Sequence, residues 1–174
     1  MNITMIGMPG CGKSTVGVLL AKAMELDFVD CDLVIQTKHG ASLQKIINER
    51  GIKGFLEVEE AVLCEIDAKN SVIATGGSAV YSERAMQHLQ TDALTLYIRL
   101  PYAEIERRLT NIQTRGVAME KGTTLEDIYN ERIPLYERYA DVTVDADGLD
   151  IEETVLRAKN AINSYLIQKS KKVY

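Results

Sequence analysis

Short apolar runs and helical periods alternate along the whole chain. Residues 2–6 (NITMI) form a compact apolar run of the kind a buried strand needs, and a glycine-rich turn separates it from a helical period over 13–24. A second run at 26–29 precedes helical patterns at 33–38, 42–50 and 55–69. Residues 71–75 read as a third strand, followed by two glycines and a helix near 82–89. The stretch 93–100 is rich in β-formers, and Pro101 stands at the first-turn position of a further helix, where its missing N–H costs nothing. Thr123-Thr124-Leu125-Glu126 has the spacing of a capping box and predicts a helix running toward Tyr139. A short run at 142–144 supplies a fifth strand. Asp150 and Glu153 open a last helix, with Val155, Ala158, Ile162 and Leu166 on its apolar face. Strands alternating with helices predict an α/β domain with a mostly parallel sheet. Residues 110–122 carry no apolar period and read as a polar surface loop or lid.

Length and charge narrow the class. The 174 residues make a single domain, 1–174, with no linker, repeat or low-complexity tract. Twenty Lys and Arg against 25 Asp and Glu leave a net charge of −5, which disfavours a nucleic-acid partner. No apolar run approaches the roughly 18 residues of a membrane span, and no basic segment precedes an apolar one at the N-terminus. Cys11, Cys31 and Cys64 have no metal-type spacing and cannot all pair. The expectation is a reduced, cytoplasmic protein, monomeric and without a membrane partner.

Gly7-Met8-Pro9-Gly10-Cys11-Gly12-Lys13-Ser14 satisfies G-x-x-x-x-G-K-[ST] between a predicted strand and a predicted helix. Glycines such as Gly10 and Gly12 let backbone N–H groups turn inward around phosphate oxygens, and the helix aims its positive end at them. Lys13 brings a point charge to the β and γ phosphates, and the Ser14 hydroxyl is a ligand for Mg²⁺. No guanine-reading Asn/Thr-Lys-x-Asp signature follows, and the chain is too short for a motor. A small ATP-dependent phosphotransferase remains.

Asp30-Cys31-Asp32 ends the second strand, and alternation along a strand puts the two carboxylates on one side. Ligands of open α/β sheets bind beyond such strand ends. Asp30 then belongs to the Mg²⁺ shell, and Asp32 orients or deprotonates an acceptor hydroxyl. The other reading of an Asp at this junction is the N-cap of the next helix.

In these residues the chain resembles the shikimate kinases, P-loop proteins of the nucleoside-monophosphate-kinase-like group, over about residues 2–165. The resemblance rests on GMPGCGKST at 7–15, DCD at 30–32, TGG at 75–77, Arg115 in the lid, and ERIPLY at 131–136. It implies a three-layer P-loop kinase fold: a five-stranded parallel sheet flanked by helices, a substrate-binding region at about 32–69 and a mobile lid at about 110–122. It implies ATP as co-substrate with Mg²⁺, and transfer of the γ-phosphoryl group to shikimate, giving shikimate 3-phosphate in aromatic amino-acid biosynthesis. Gly10, Gly12, Lys13, Ser14, Thr15, Arg108 and Arg115 would bind the nucleotide. Asp32, Gly76, Gly77 and Arg132 would bind the acceptor, together with the positions that hold Leu56 and Glu59 here. Lys13, Asp32 and Arg115 would carry catalysis, and Ser14 and Asp30 the metal.

The chain departs from the family pattern where an Arg should follow Phe55: the position holds Leu56. The carboxylate that this Arg would pair with, Glu59, is expected to face the acceptor pocket without it. A second departure is Ser78, where a third glycine is expected after Gly76 and Gly77; a third is Arg115-Gly116 in place of Arg-Pro. A pocket with Arg132 at one end and a free Glu59 at the other also suits a zwitterionic amino-acid alcohol such as homoserine. A reading of another class is a non-catalytic nucleotide-binding regulator derived from a kinase. The presence of Lys13, Asp32 and Arg115 together speaks against it.

Overall fold

The computed structural model describes residues 1–109, 117–118 and 122–171. Among them, β1 (Asn2–Ile6), β2 (Asp27–Asp30), β3 (Ser71–Ala74), β4 (Ala93–Arg99) and β5 (Val142–Asp145) form one sheet. The order is β2-β3-β1-β4-β5 and every neighbouring pair is parallel. Parallel pairing requires crossovers, and helices supply them: α1 (Lys13–Met24), α2 (Cys31–His39), α3 (Leu43–Leu63), α4 (Glu83–Gln90), α5 (Tyr102–Leu109), α6 (Leu125–Tyr139) and α7 (Ile151–Lys171). The inner strands β1, β3 and β4 are apolar almost throughout because helices cover both faces. The edge strand β5 instead alternates buried and exposed residues. Helices α1 and α7 pack against each other, and α4 and α6 pack on β4. The last helix buries Ala158 and Ile162 of its predicted apolar face, with Val155 and Leu166 at the margin of the same core.

A second, smaller core joins α2 and α3. Ile35 of α2 meets Ile46, Ile47, Phe55, Val58 and Val62 of α3, and Leu56 packs at its margin. The two helices predicted at 42–50 and 55–69 are one element broken at Gly51, whose φ of 71° and ψ of 177° interrupt the helical path. The second ends at Leu63 rather than at residue 69. There the N–H groups of Glu65 and Ile66 bond back to Val62 and Leu63, tightening the last turn before the chain enters β3.

Two helix starts differ from expectation. The capping box lies one residue later: Thr124 accepts from Asp127 N–H while Asp127 accepts from Thr124 N–H, so Thr123 and Glu126 are not its members. The box at Asp150 and Glu153 forms as expected. Asp30 and Asp32 do not alternate along a strand, because β2 stops at Asp30. Asp30 is the N-cap of α2, accepting from the N–H groups of Asp32 (3.0 Å) and Leu33 (3.3 Å), and Asp32 lies in the first turn of that helix.

Candidate active site

Three chain segments leave the sheet at the same end. The phosphate loop follows β1, the Asp30–Asp32 turn follows β2, and Gly76-Gly77 follows β3. Their side chains line one cavity of about 510 Å³, together with Glu59, Phe55 and Leu43 of α3, Arg107 and Arg108 of α5, Val117, Ala118 and Arg132.

On the nucleotide side the loop has the backbone its glycines permit. Gly10 (φ 79°) and Gly12 (φ 100°) are in the left-handed region, and Gly12 is the residue from which α1 starts. No side chain caps that helix end. Its first N–H groups are thus left to a ligand, the arrangement that favours a phosphate. Lys13 is buried and its ammonium donates to the carbonyls of Gly7 (2.7 Å) and Met8 (3.0 Å), so the charge is held on the loop. Ser14 and Thr15 are exposed to the cavity. Arg108 donates to Gly10 O at 3.4 Å and to Glu104 at 2.6 Å. Arg107 grips the same carboxylate, and the hydrogen bonds from Arg107 and Arg108 hold Glu104 down to about 2.

A recess beside the cavity is lined by Ser14, Asp30 and Asp32. These are hard oxygen donors, and a nucleotide-borne Mg²⁺ needs only one or two protein oxygens besides phosphates and water. Oδ1 of Asp30 is occupied in capping α2. The N-cap reading of Asp30 is therefore the observed one, and the cap leaves its other carboxylate oxygen for an ion. The donor set fits the ion.

On the acceptor side Arg132 is 1% exposed. Its Nε donates to the Tyr81 hydroxyl at 3.1 Å, its Nη2 to Ala118 O at 3.2 Å, and the guanidinium lies 5.0 Å from the Tyr81 ring centroid. A buried guanidinium held by neutral acceptors in a cavity is a receptor for a carboxylate. Tyr136, stacked 5.2 Å from Tyr97, donates to Gly77 O at 2.6 Å and fixes the turn after β3. Gly77 has no room for a side chain: a Cβ there would lie 2.6 Å from Pro9 Cδ and 3.1 Å from Arg132 Nη1. At Gly76 a Cβ would press into Glu59 Oε1 and reach within 3.1 Å of Asp32 Oδ1. Gly76→Ala is accordingly expected to cost about 1–3 kcal/mol of stability and to raise the acceptor KM. Thermal unfolding and KM measured together check it; an unaltered KM would remove Gly76 from the acceptor wall.

Glu59 is 2% exposed, and its Oε1 has no hydrogen-bond partner among the described residues. Burial pushes the carboxyl up to about 7; the Ser78 hydroxyl pulls it down, Asp32 pushes it up, and Arg132 and Lys13 oppose. Leu56 is not among the cavity-lining residues and packs against the smaller core. The predicted Arg115, and the lid positions 110–116 and 119–121, lie outside the described residues.

The cavity therefore brings together Gly10, Gly12, Lys13, Ser14, Thr15, Asp32, Glu59, Gly76, Gly77, Arg108 and Arg132. Tyr81, Tyr136 and Arg107 were not predicted. The two tyrosines act through contacts distant in sequence, which no spacing rule reports. Arg107 was legible as the neighbour of Arg108, with Glu104 three residues before it.

Residues 9–163 match the family model described as shikimate kinase. The shikimate kinase of Francisella tularensis subsp. novicida (strain U112) is 35% identical over 176 residues, covering 97% of this chain and 96% of the relative. That of Thiobacillus denitrificans is 36% identical over 148 residues, covering 83% and 80%. Among solved structures, a shikimate kinase from Acinetobacter baumannii in complex with shikimate superposes with a TM-score of 0.86 at 29% identity, covering 94% of this chain and 93% of that one. A gluconokinase from Sinorhizobium meliloti, at 17% identity and a TM-score of 0.53, shares the fold.

Proposed function

This chain belongs to the shikimate kinase family, and on that premise we propose that it transfers the γ-phosphoryl group of ATP to a hydroxyl of shikimate, giving shikimate 3-phosphate. The observation that carries the reading is the single cavity joining the phosphate loop to Asp32 and to the buried Arg132. An alcohol that also bears a carboxylate is the acceptor such a pair selects.

In this reading the loop N–H groups and Lys13 hold the phosphates, with the Lys13 ammonium turning from the Gly7 and Met8 carbonyls to the β and γ oxygens. Arg108 braces the loop at Gly10. Arg132 takes the acceptor carboxylate while Gly76 and Gly77 let the ring approach the end of β3. Asp32 receives the acceptor hydroxyl and its proton as the oxygen attacks. Phosphoryl transfer needs mainly positioning and charge stabilisation, which these groups supply. Ser14 and Asp30 would hold Mg²⁺, which when bound neutralises phosphate charge. Arg115 is assigned to the transferring phosphoryl group.

In this reading the chain acts as one domain and as a monomer, with the phosphate loop, Asp32 and Arg132 of the same chain on one cavity. The three cysteines are free and no described helix is long and apolar enough to cross a membrane, which suits the ATP-rich, reducing cytoplasm.

ADP release measured with ATP, Mg²⁺ and shikimate, homoserine or no alcohol tests the reading. The expected result is turnover with shikimate far above both other arms. Turnover with homoserine alone would assign the site to an amino-acid alcohol, and ATP binding without turnover of any alcohol would make the chain a nucleotide-dependent regulator.

A further inference from the structure

A guanidinium orients a carboxylate only as well as its own rotation is fixed, because its two bidentate edges meet a ligand at different angles. One edge pairs Nε with a neighbouring Nη, and the other pairs the two Nη nitrogens end-on. Arg132 is the buried guanidinium of the cavity. Position 56, where the family carries a further arginine, holds Leu56, which packs on the smaller core. The orientation of an acceptor carboxylate therefore falls to Arg132.

The groups around Arg132 decide which of its edges is open. The short helical turn Ala79–Tyr81 follows Gly76-Gly77 and packs against α6. It brings the Tyr81 hydroxyl to Nε at 3.1 Å and the ring centroid to 5.0 Å from the guanidinium carbon. One side chain thus takes the single N–H of Nε and also faces the cation with its ring. Nη2 donates to Ala118 O at 3.2 Å. The Tyr136 hydroxyl, anchored on Gly77 O at 2.6 Å, also meets the guanidinium. Among the described residues, the N–H donors left over belong to Nη1 and Nη2. Nη1 lies over Gly77, where a Cβ would come within 3.1 Å of it, and Gly77 lines the cavity. Tyr81 is not a lining residue, so it reaches a ligand through Arg132.

We propose that Tyr81 is a positioning residue for acceptor recognition: by taking Nε it closes the side edge of Arg132 and presents the end-on Nη1–Nη2 edge, above Gly77, to the acceptor carboxylate. The proposal rests on the shikimate reading above. Two features of the contact support it. The Tyr81 oxygen is neutral, so it fixes Nε and satisfies a buried donor without spending the charge that the ligand needs; a carboxylate in its place would neutralise the group. The ring adds a second restraint, since swinging the guanidinium away forfeits the cation–π attraction. A residue outside the cavity then sets how strongly the site prefers an acid.

Tyr81→Phe keeps the ring and deletes the hydroxyl. It is expected to raise the shikimate KM about tenfold, the cost of a loosened charge-assisted contact, with kcat within about threefold and the KM for ATP unaltered. A general loss of packing would affect all acceptors alike. The deciding quantity is therefore the ratio of kcat/KM for shikimate to that for shikimate methyl ester, which keeps the ring hydroxyls and lacks the carboxylate charge. That preference is expected to fall about tenfold in Tyr81→Phe. A second measurement uses Arg132→Lys, which keeps a positive charge and has no Nε. Calorimetric binding of shikimate should be weaker in that background, and adding Tyr81→Phe should change it by less than about twofold. An acid-to-ester preference within about twofold of wild type in Tyr81→Phe, or the same tenfold loss in both Arg132 backgrounds, overturns the proposal. Either result, with shikimate turned over by the wild type, leaves the functional reading standing; no turnover of shikimate by the wild type removes both.

Discussion

Lys13→Met is expected to lower kcat by about three orders of magnitude, the loss typical when one preorganised charge is taken from a reacting oxyanion. The methionine keeps the length and the buried stem, so the fold should persist. What disappears is an ammonium that here rests on two loop carbonyls, Gly7 O and Met8 O. Those bonds fix the charge on the loop, and in the proposed role it needs only to swing from there onto the phosphates. The variant should therefore bind ATP more weakly and turn over far more slowly, while binding shikimate alone almost as before. Steady-state kinetics with calorimetric binding of each substrate separates these effects. A kcat within tenfold of wild type would sink the role of Lys13 in charge neutralisation.

How legible this site was depends on how local its causes are. The phosphate loop was readable because its requirements are nearly all short-range: left-handed glycines, an uncapped helix end and a lysine at fixed spacing. The sheet was readable because its inner strands are buried on both faces and so are apolar almost throughout. Strand alternation is not what brings Asp30 and Asp32 together. They lie together through helix capping, and a cap is decided by where the strand stops, which a run of six residues does not reveal. Arg132 could be carried over by resemblance alone. Its burial depends on Tyr81 and Ala118, which are 51 and 14 residues away in the chain.

The departures were visible as substitutions, but their physical meaning needed the third dimension. Leu56 reads in sequence as a lost pocket charge. In the structure it lies outside the cavity lining and packs on the smaller core. Glu59, the carboxylate that the family's Arg is expected to pair with, keeps its place in the cavity and has an oxygen with no partner among the described residues. Ser78 reads as a lost glycine, yet its hydroxyl is the neighbour that favours the ionised form of Glu59.

Asp32→Asn is the second large effect, expected to reduce kcat about 10²- to 10⁴-fold, the range for losing a positioned general base. The asparagine is isosteric and can still accept a hydrogen bond from an acceptor hydroxyl, but it cannot take the proton. Orientation and proton acceptance thus separate. If Asp32 only orients the alcohol, the variant should raise the acceptor KM and leave kcat within about fivefold. If it accepts the proton, kcat falls while KM moves little. A second readout follows from geometry. Asp32 Oδ1 and Glu59 Oε1 converge on Gly76, and the Asp32 charge is one of the influences that raise the Glu59 carboxyl. Removing that charge makes Glu59 easier to ionise. In Asp32→Asn the Glu59 carboxyl should accordingly titrate at lower pH than in the wild type, a shift that carbon NMR of labelled glutamate reads directly. An unaltered Glu59 titration, with kcat intact, would mean that the two carboxylates do not share one site and that the catalytic base lies elsewhere.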